Sequence, residues 1–228
     1  DLGAAPDEVV PQLAQALLLG KQFGKITTDY ALLQLASAPA QASLKTTVAI
    51  AWLRQGQEDK FRASIDEALK AKADHVPALI ELVRASAQRG NIDEALAGLD
   101  KIPRQSSGAD EAHKLRGDLL LYGKRDMDAA MVAYRDALQV NPSYLEGQAA
   151  VVQLLLLQGK TEAAAEALQG LAKAAPGKPQ TLYLQAMLAY AKNDLKAAQE
   201  HAQKLVSLTP ENFRALELAG MTELRLGA

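Results

Sequence analysis

Apolar residues recur along the chain at helical spacing, in short stretches separated by polar breaks. Leu145 to Gln158 carries one such stretch, and Gly159-Lys160-Thr161 interrupts it. Glycine is the residue that takes a left-handed backbone past a helix end. Thr161 is the expected N-cap of the next helix, with Glu162 and Glu166 early in it, where the helix dipole favours negative charge. Ala174-Ala175-Pro176 closes that helix, because the residue before proline is pushed out of the α region. Pro142 and Pro210 repeat the stop signal, whereas Pro11, Pro77 and Pro179 are expected near helix starts, where a missing N–H costs little.

The breaks are periodic. Aligned on Gly20, Gly56, Gly90, Gly159 and Gly227, with Asn193 taking one turn, the chain repeats at a spacing near 34 residues. Two extra residues fall near Ala38-Pro39-Ala40 and one within Tyr122-Gly123-Lys124-Arg125-Asp126. The units are 6–41, 42–75, 76–109, 110–144, 145–178, 179–212 and a half unit at 213–228, each helix–turn–helix. The fold class is therefore all-α, with about 13 helices. Ala95, Ala130, Ala164 and Ala198 stand four or five residues past a turn, where a small side chain lets two helices approach. Phe61 and Lys25 break that rule, so wider or differently angled hairpins are expected there.

The segment Gly117-Asp118-Leu119-Leu120-Leu121, then Asp128-Ala129-Ala130, Ala133 to Leu138 and Asn141-Pro142, resembles the tetratricopeptide repeat, strongly over 110–212 and more loosely over 6–41. The run Leu2 to Leu18 is similar to a subfamily of bacterial envelope tetratricopeptide lipoproteins associated with PEP-CTERM/exosortase and exopolysaccharide systems. The resemblance implies a solenoid of antiparallel helix pairs forming a right-handed superhelix, with the first helix of each unit lining a concave face. In the motif's register that face carries Thr46, Ile50 and Arg54, then Ile80, Arg84 and Gln88, then Lys114, Asp118 and Tyr122. It continues with Ala149, Gln153 and Leu157, then Tyr183, Met187 and Tyr190, then Glu217, Met221 and Arg225. It lacks the Lys/Asn/Arg set with which some members clamp a terminal carboxylate. The implied role is a non-enzymatic scaffold, its groove docking a peptide or protein of envelope machinery, in the periplasm or at the outer membrane. Direct binding of exopolysaccharide through Tyr183 and Tyr190, or a generic cytoplasmic adaptor, remain open alternatives.

Composition narrows the chemistry. The chain has 228 residues, 49% hydrophobic but only 4% aromatic, which argues against a sandwich or barrel. A net charge of −2 gives no nucleic-acid footprint, and the absence of cysteine excludes disulfides and thiolate metal sites. The longest nearly unbroken apolar run, Val151 to Leu157, is far short of the ~20 residues of a membrane span. Asp1-Leu2-Gly3 reads like the tail of an earlier helix and Leu226-Gly227-Ala228 like a helix reaching its turn, so a fragment of a longer protein is expected, with Phe213, Leu216 and Leu224 short of cover and prone to end-to-end self-association.

No catalytic constellation, metal-ligand spacing or cofactor motif is present. His75, His113 and His201 have no second ligand at helical spacing and are expected on solvated surface. Asp7-Glu8, Glu58-Asp59 and Asp93-Glu94 sit at helix starts, where carboxylates complement the dipole. Ser106-Ser107-Gly108 reads as a hairpin connection and Trp52 as core. Tyr183, Met187 and Tyr190 are the leading ligand candidates, set against partial burial between repeats.

Overall fold

A computed structural model describes residues 5–227. The expected helical tail at Asp1-Leu2-Gly3 lies outside them. Among the described residues there are thirteen helices and no strand. They form two compact units, one up to Ala112 and one from His113.

The first unit contains α1 (Pro6–Leu19), α2 (Phe23–Asp29), α3 (Ala38–Arg54), α4 (Glu58–Ala71), α5 (Val76–Gln88), α6 (Ile92–Leu99) and the start of α7 (Ala109–Asp118). α3 packs against α1, α2, α4 and α5, and is accordingly buried on nearly all sides. One core cluster joins Ala14, Leu17 and Ile26 to Leu44, Val48 and Ala51; a second joins Ala49, Phe61, Ile65, Ala68, Ala78 and Ala85. Trp52 packs on both clusters, with the Lys60 ammonium 4.3 Å from its ring centroid.

α2 is the weak element the sequence points to. Gly24 and the β-branched Thr27 and Thr28 lower its helix propensity, and it ends at Asp29. The irregular stretch that follows is held by side chains rather than by helix. The Asp7 carboxylate accepts from the backbone N–H groups of Ala36 (3.0 Å) and Ser37 (2.6 Å), and hydrogen bonding from the Ser37 side chain, then from these N–H groups, lowers its pKa. Gln41 accepts from Leu35 N–H. The buried Lys45 donates to the Ala31 carbonyl (2.7 Å) and pairs with Glu67 (2.6 Å). Ala38-Pro39-Ala40 form the first turn of α3.

The second unit holds the end of α7 and α8 (Met127–Val140), α9 (Leu145–Leu157), α10 (Thr161–Ala174), α11 (Pro179–Ala191), α12 (Leu195–Leu208) and α13 (Phe213–Leu226). Successive helices pack from α8 to α13, and α11 also touches α9 and α13, so each first helix lies beside the next. The extra residue expected near Tyr122 takes a definite form. α7 continues into a π-helical segment, Leu119–Gly123, closed by the bond from Lys124 N–H to Leu119 O. On α13, Phe213 is 74%, Leu216 47% and Leu224 78% exposed, as expected of a face short of cover.

Left-handed residues mark every first-helix exit: Lys21, Gly56, Gly90, Arg125, Gly159, Asn193 and Gly227. Their spacings are 35, 34, 35, 34, 34 and 34 residues. The expectation that Gly20 makes the first turn is corrected, for its φ is −76° and Lys21 takes the left-handed position at φ 56°. With that shift the residue five past each turn is Ile26, Phe61, Ala95, Ala130, Ala164 or Ala198, and each is wholly buried. Ile26, not Lys25, is therefore the close-approach residue of the first hairpin. Phe61 fits because the residues around it in its cluster, Ala49, Ala68, Ala78 and Ala85, are small.

Two further local expectations change. Pro11 lies inside α1, which starts a turn earlier with Pro6 in its first turn. Thr161 is the first residue of α10 and makes no side-chain cap; Lys160 holds the N-cap position. Side-chain caps are made instead by Asp126, Asp194 and Asn212, accepting from Ala129, Ala197 and Ala215 N–H respectively.

Candidate functional site

The turn register also locates a cleft. Positions 13, 10, 9 and 6 residues before a left-handed residue fall on one stripe of a first helix. In α3 these are Ser43, Thr46, Thr47 and Ile50; in α5, Pro77, Ile80 and Glu81; in α1, Pro11, Gln12 and Gln15. All of them line one cleft of about 600 Å³, completed by His75 and by Glu111 from the first turn of α7. The cleft lies wholly within the first unit.

Its lining is mainly apolar, from Pro11, Ala16, Ile50, Pro77 and Ile80, and also carries the uncharged polar side chains of Gln12, Gln15, Ser43, Thr46 and Thr47. Thr46 and Thr47 spend their hydroxyl protons on the carbonyls of Ala42 (2.7 Å) and Ser43 (3.1 Å) one turn back. The charged lining residues are both carboxylates. Glu81 pairs with Arg84 at 3.0 Å, and the other arm of the same guanidinium reaches Glu111. Glu81 is partly desolvated, which raises its pKa; Arg84 opposes the shift and Glu111 adds to it.

His75 corrects the expectation of a solvated histidine. It is 8% exposed, its Nε2 has no hydrogen-bond partner, and burial lowers its pKa. His201 is half-buried with an unpartnered Nδ1, and its pKa is likewise lowered by burial. Among the described residues no group of acidic and histidine side chains is arranged to hold a metal ion.

The sequence-predicted groove residues divide between the two units. In the first, Ile50 lines the cleft and Arg84 bridges its acidic wall; Arg54 is exposed at the end of α3, outside the lining. In the second, Asp118 accepts from the buried Tyr134 hydroxyl (2.9 Å) and pairs with Lys114 (2.7 Å). Gln153 donates to the Tyr122 hydroxyl at 3.1 Å. Tyr183 packs against three core clusters, Met187 against the Ala186–Ala202–Leu218 cluster. The Arg225 guanidinium covers the Tyr190 ring at 4.7 Å and donates to Asn193. Gln12, Gln15, His75, Glu81 and Glu111 are among the lining residues that sequence reasoning did not place in a groove. Counting back nine residues from Gly90 finds Glu81, and counting back from Lys21 rather than Gly20 finds Gln12 and Gln15; nothing in the local sequence signals His75 and Glu111.

Helical hairpins recurring along the chain at a spacing near 34 residues, with a cleft lined by successive first helices in the first unit, define a helical-repeat protein. The chain matches the tetratricopeptide repeat over residues 53–119, 116–179 and 183–228, and it belongs to that family. It is 26% identical over 168 residues to "Cellulose synthase operon protein C" of Pseudomonas fluorescens (strain SBW25), a match covering 71% of this chain and 13% of that protein. The chain thus spans only a small part of that relative's length. Similar solved structures include Pseudomonas aeruginosa PilF (TM-score 0.70, 14% identity, 94% of this chain and 97% of that one). Another is PilW, described as a widely conserved type IV pilus biogenesis factor (TM-score 0.69, 15% identity, 95% and 99%). At these identities the likeness shows the fold alone. The fold is typical of protein–protein interaction scaffolds, and among the described residues no helix is long and apolar enough to cross a membrane.

Proposed function

We propose that the chain is a non-catalytic docking module of a bacterial envelope system that makes or exports an exopolysaccharide, and that the α1–α3–α5–α7 cleft receives a segment of a protein partner. The observation that carries the docking is the cleft itself: about 600 Å³, mainly apolar with polar side chains among its lining, built by four successive first helices. Such a surface fits a peptide segment, whose apolar side chains meet the apolar lining while its polar groups meet Gln12, Gln15 and Ser43. The exopolysaccharide setting is supported by the name of the Pseudomonas fluorescens relative. Direct stacking of sugar on Tyr183 and Tyr190 is less well supported, because the first packs into core clusters and Arg225 covers the second.

A photo-crosslinking side chain at Ile50, introduced in the native host, tests this reading. A protease-sensitive adduct found in the envelope fraction, absent when the crosslinker is placed at exposed Gly170, is expected. Adducts that resist protease and yield only glycan would refute the protein-docking reading, and a protein adduct in the cytosolic fraction would refute the envelope setting.

A further inference from the structure

We propose that this cleft selects a segment in which an apolar side chain adjoins a lysine or arginine, the apolar group on Ile50 and Ile80 and the cation between Glu81 and Glu111. This rests on the docking reading above and assigns the chemistry of the partner. The charged side chains of the lining are two carboxylates, and no lining residue is a cation. Those carboxylates share one guanidinium, that of Arg84, which bonds both from outside the lining. Arg54 adds only a weaker attraction to Glu81. Among the described residues one guanidinium thus bridges two carboxylates, in a place where Glu81 has already lost part of its hydration.

A second cation entering the cleft would lie beside both oxygens and relieve their mutual repulsion, whereas an acidic segment would add to it.

The test selects random dodecamer peptides displayed on phage against the intact chain. Recovered peptides, synthesised with a fluorescein label, are then titrated by anisotropy. The panel is the wild type, Glu81→Gln/Glu111→Gln, the cleft-filling Ser43→Trp, and Gln15→Lys, which puts a cation on an exposed rim position. Circular dichroism confirms that each variant is folded. We expect recovered sequences with Lys or Arg next to Leu, Ile, Met or Phe, and binding abolished by Ser43→Trp. Glu81→Gln/Glu111→Gln and Gln15→Lys should each weaken binding about fivefold at low salt, the scale of a partly screened ion pair, and high salt should erase the difference. Peptides blocked by Ser43→Trp or Gln15→Lys that are acidic or uncharged, or indifferent to the glutamine pair, overturn the cationic selection while leaving docking intact. Peptides indifferent to every cleft substitution, or no recovery at all, overturn both.

Discussion

Gly117 is a helix-interior glycine at which alanine should destabilise the protein. In an ordinary helix interior the change from glycine to alanine gains about 1 kcal/mol, because alanine loses less backbone entropy and shields the helix. At Gly117 an added Cβ would lie 2.3 Å from Cε1 and 2.4 Å from Cδ1 of Tyr134. Normal contact needs 3.4 Å or more, so the ring must retreat by about 1 Å. It has little freedom to do so, being 2% exposed and tied through its hydroxyl to Asp118 at 2.9 Å. Overpacking of this kind costs about 1–3 kcal/mol, and a strained or broken buried hydrogen bond adds about 1–3 kcal/mol. Set against the propensity gain, Gly117→Ala should be destabilised by about 2–3 kcal/mol. Gly170→Ala is the control: it lies within α10 with nothing inside 4 Å of its would-be Cβ, and should be stabilised by about 1 kcal/mol. The pair should thus melt roughly 6–16 °C apart by far-UV circular dichroism, at about 2–4 °C per kcal/mol for a chain of this size. Tyr134→Phe keeps the ring and should leave the penalty largely in place, whereas Tyr134→Leu should remove most of it, a coupling read from the double-mutant cycle. A Gly117→Ala protein as stable as the wild type would refute the argument that the ring fixes this position.

Other consequences can be checked on the same footing. Asp194→Ala removes a side-chain cap and should cost about 1 kcal/mol in urea unfolding, while Thr161→Ala, at a position that makes no cap, should change stability by only about a few tenths. Lys45→Met leaves the Ala31 carbonyl without its donor and should raise amide hydrogen exchange across residues 30–37 more than anywhere in the second unit; uniform exchange would contradict the tethering role. Burial lowers the pKa of His75, so the folded state resists protonating it, and its contribution to stability is lost as pH falls through the ordinary value of 6.5 towards the depressed folded one. His75→Asn should therefore flatten the decline in stability below pH 6.5, with the remaining slope in that range including His201, shifted in the same direction.

Much of the fold is legible because its signals are local. Turn residues, stop prolines and apolar spacing act within a few positions, so the period, the hairpins, the weakness of α2 and the extra residue near Tyr122 all follow from the order of residues. A register taken from glycine is only as good as the assumption that glycine makes the turn, and at the first hairpin Lys21 makes it instead. Residue order likewise places Ile50 on one helical stripe with Thr46 and Arg84 on the corresponding stripe of the next first helix with Ile80. The tertiary structure alone decided that Glu81 and Glu111, far apart in sequence, meet across one guanidinium, that His75 is buried against a cleft, and that Gly117 must have no side chain. Those facts depend on which surfaces neighbouring helices bring within a few ångströms, and periodicity within a helix carries no information about that.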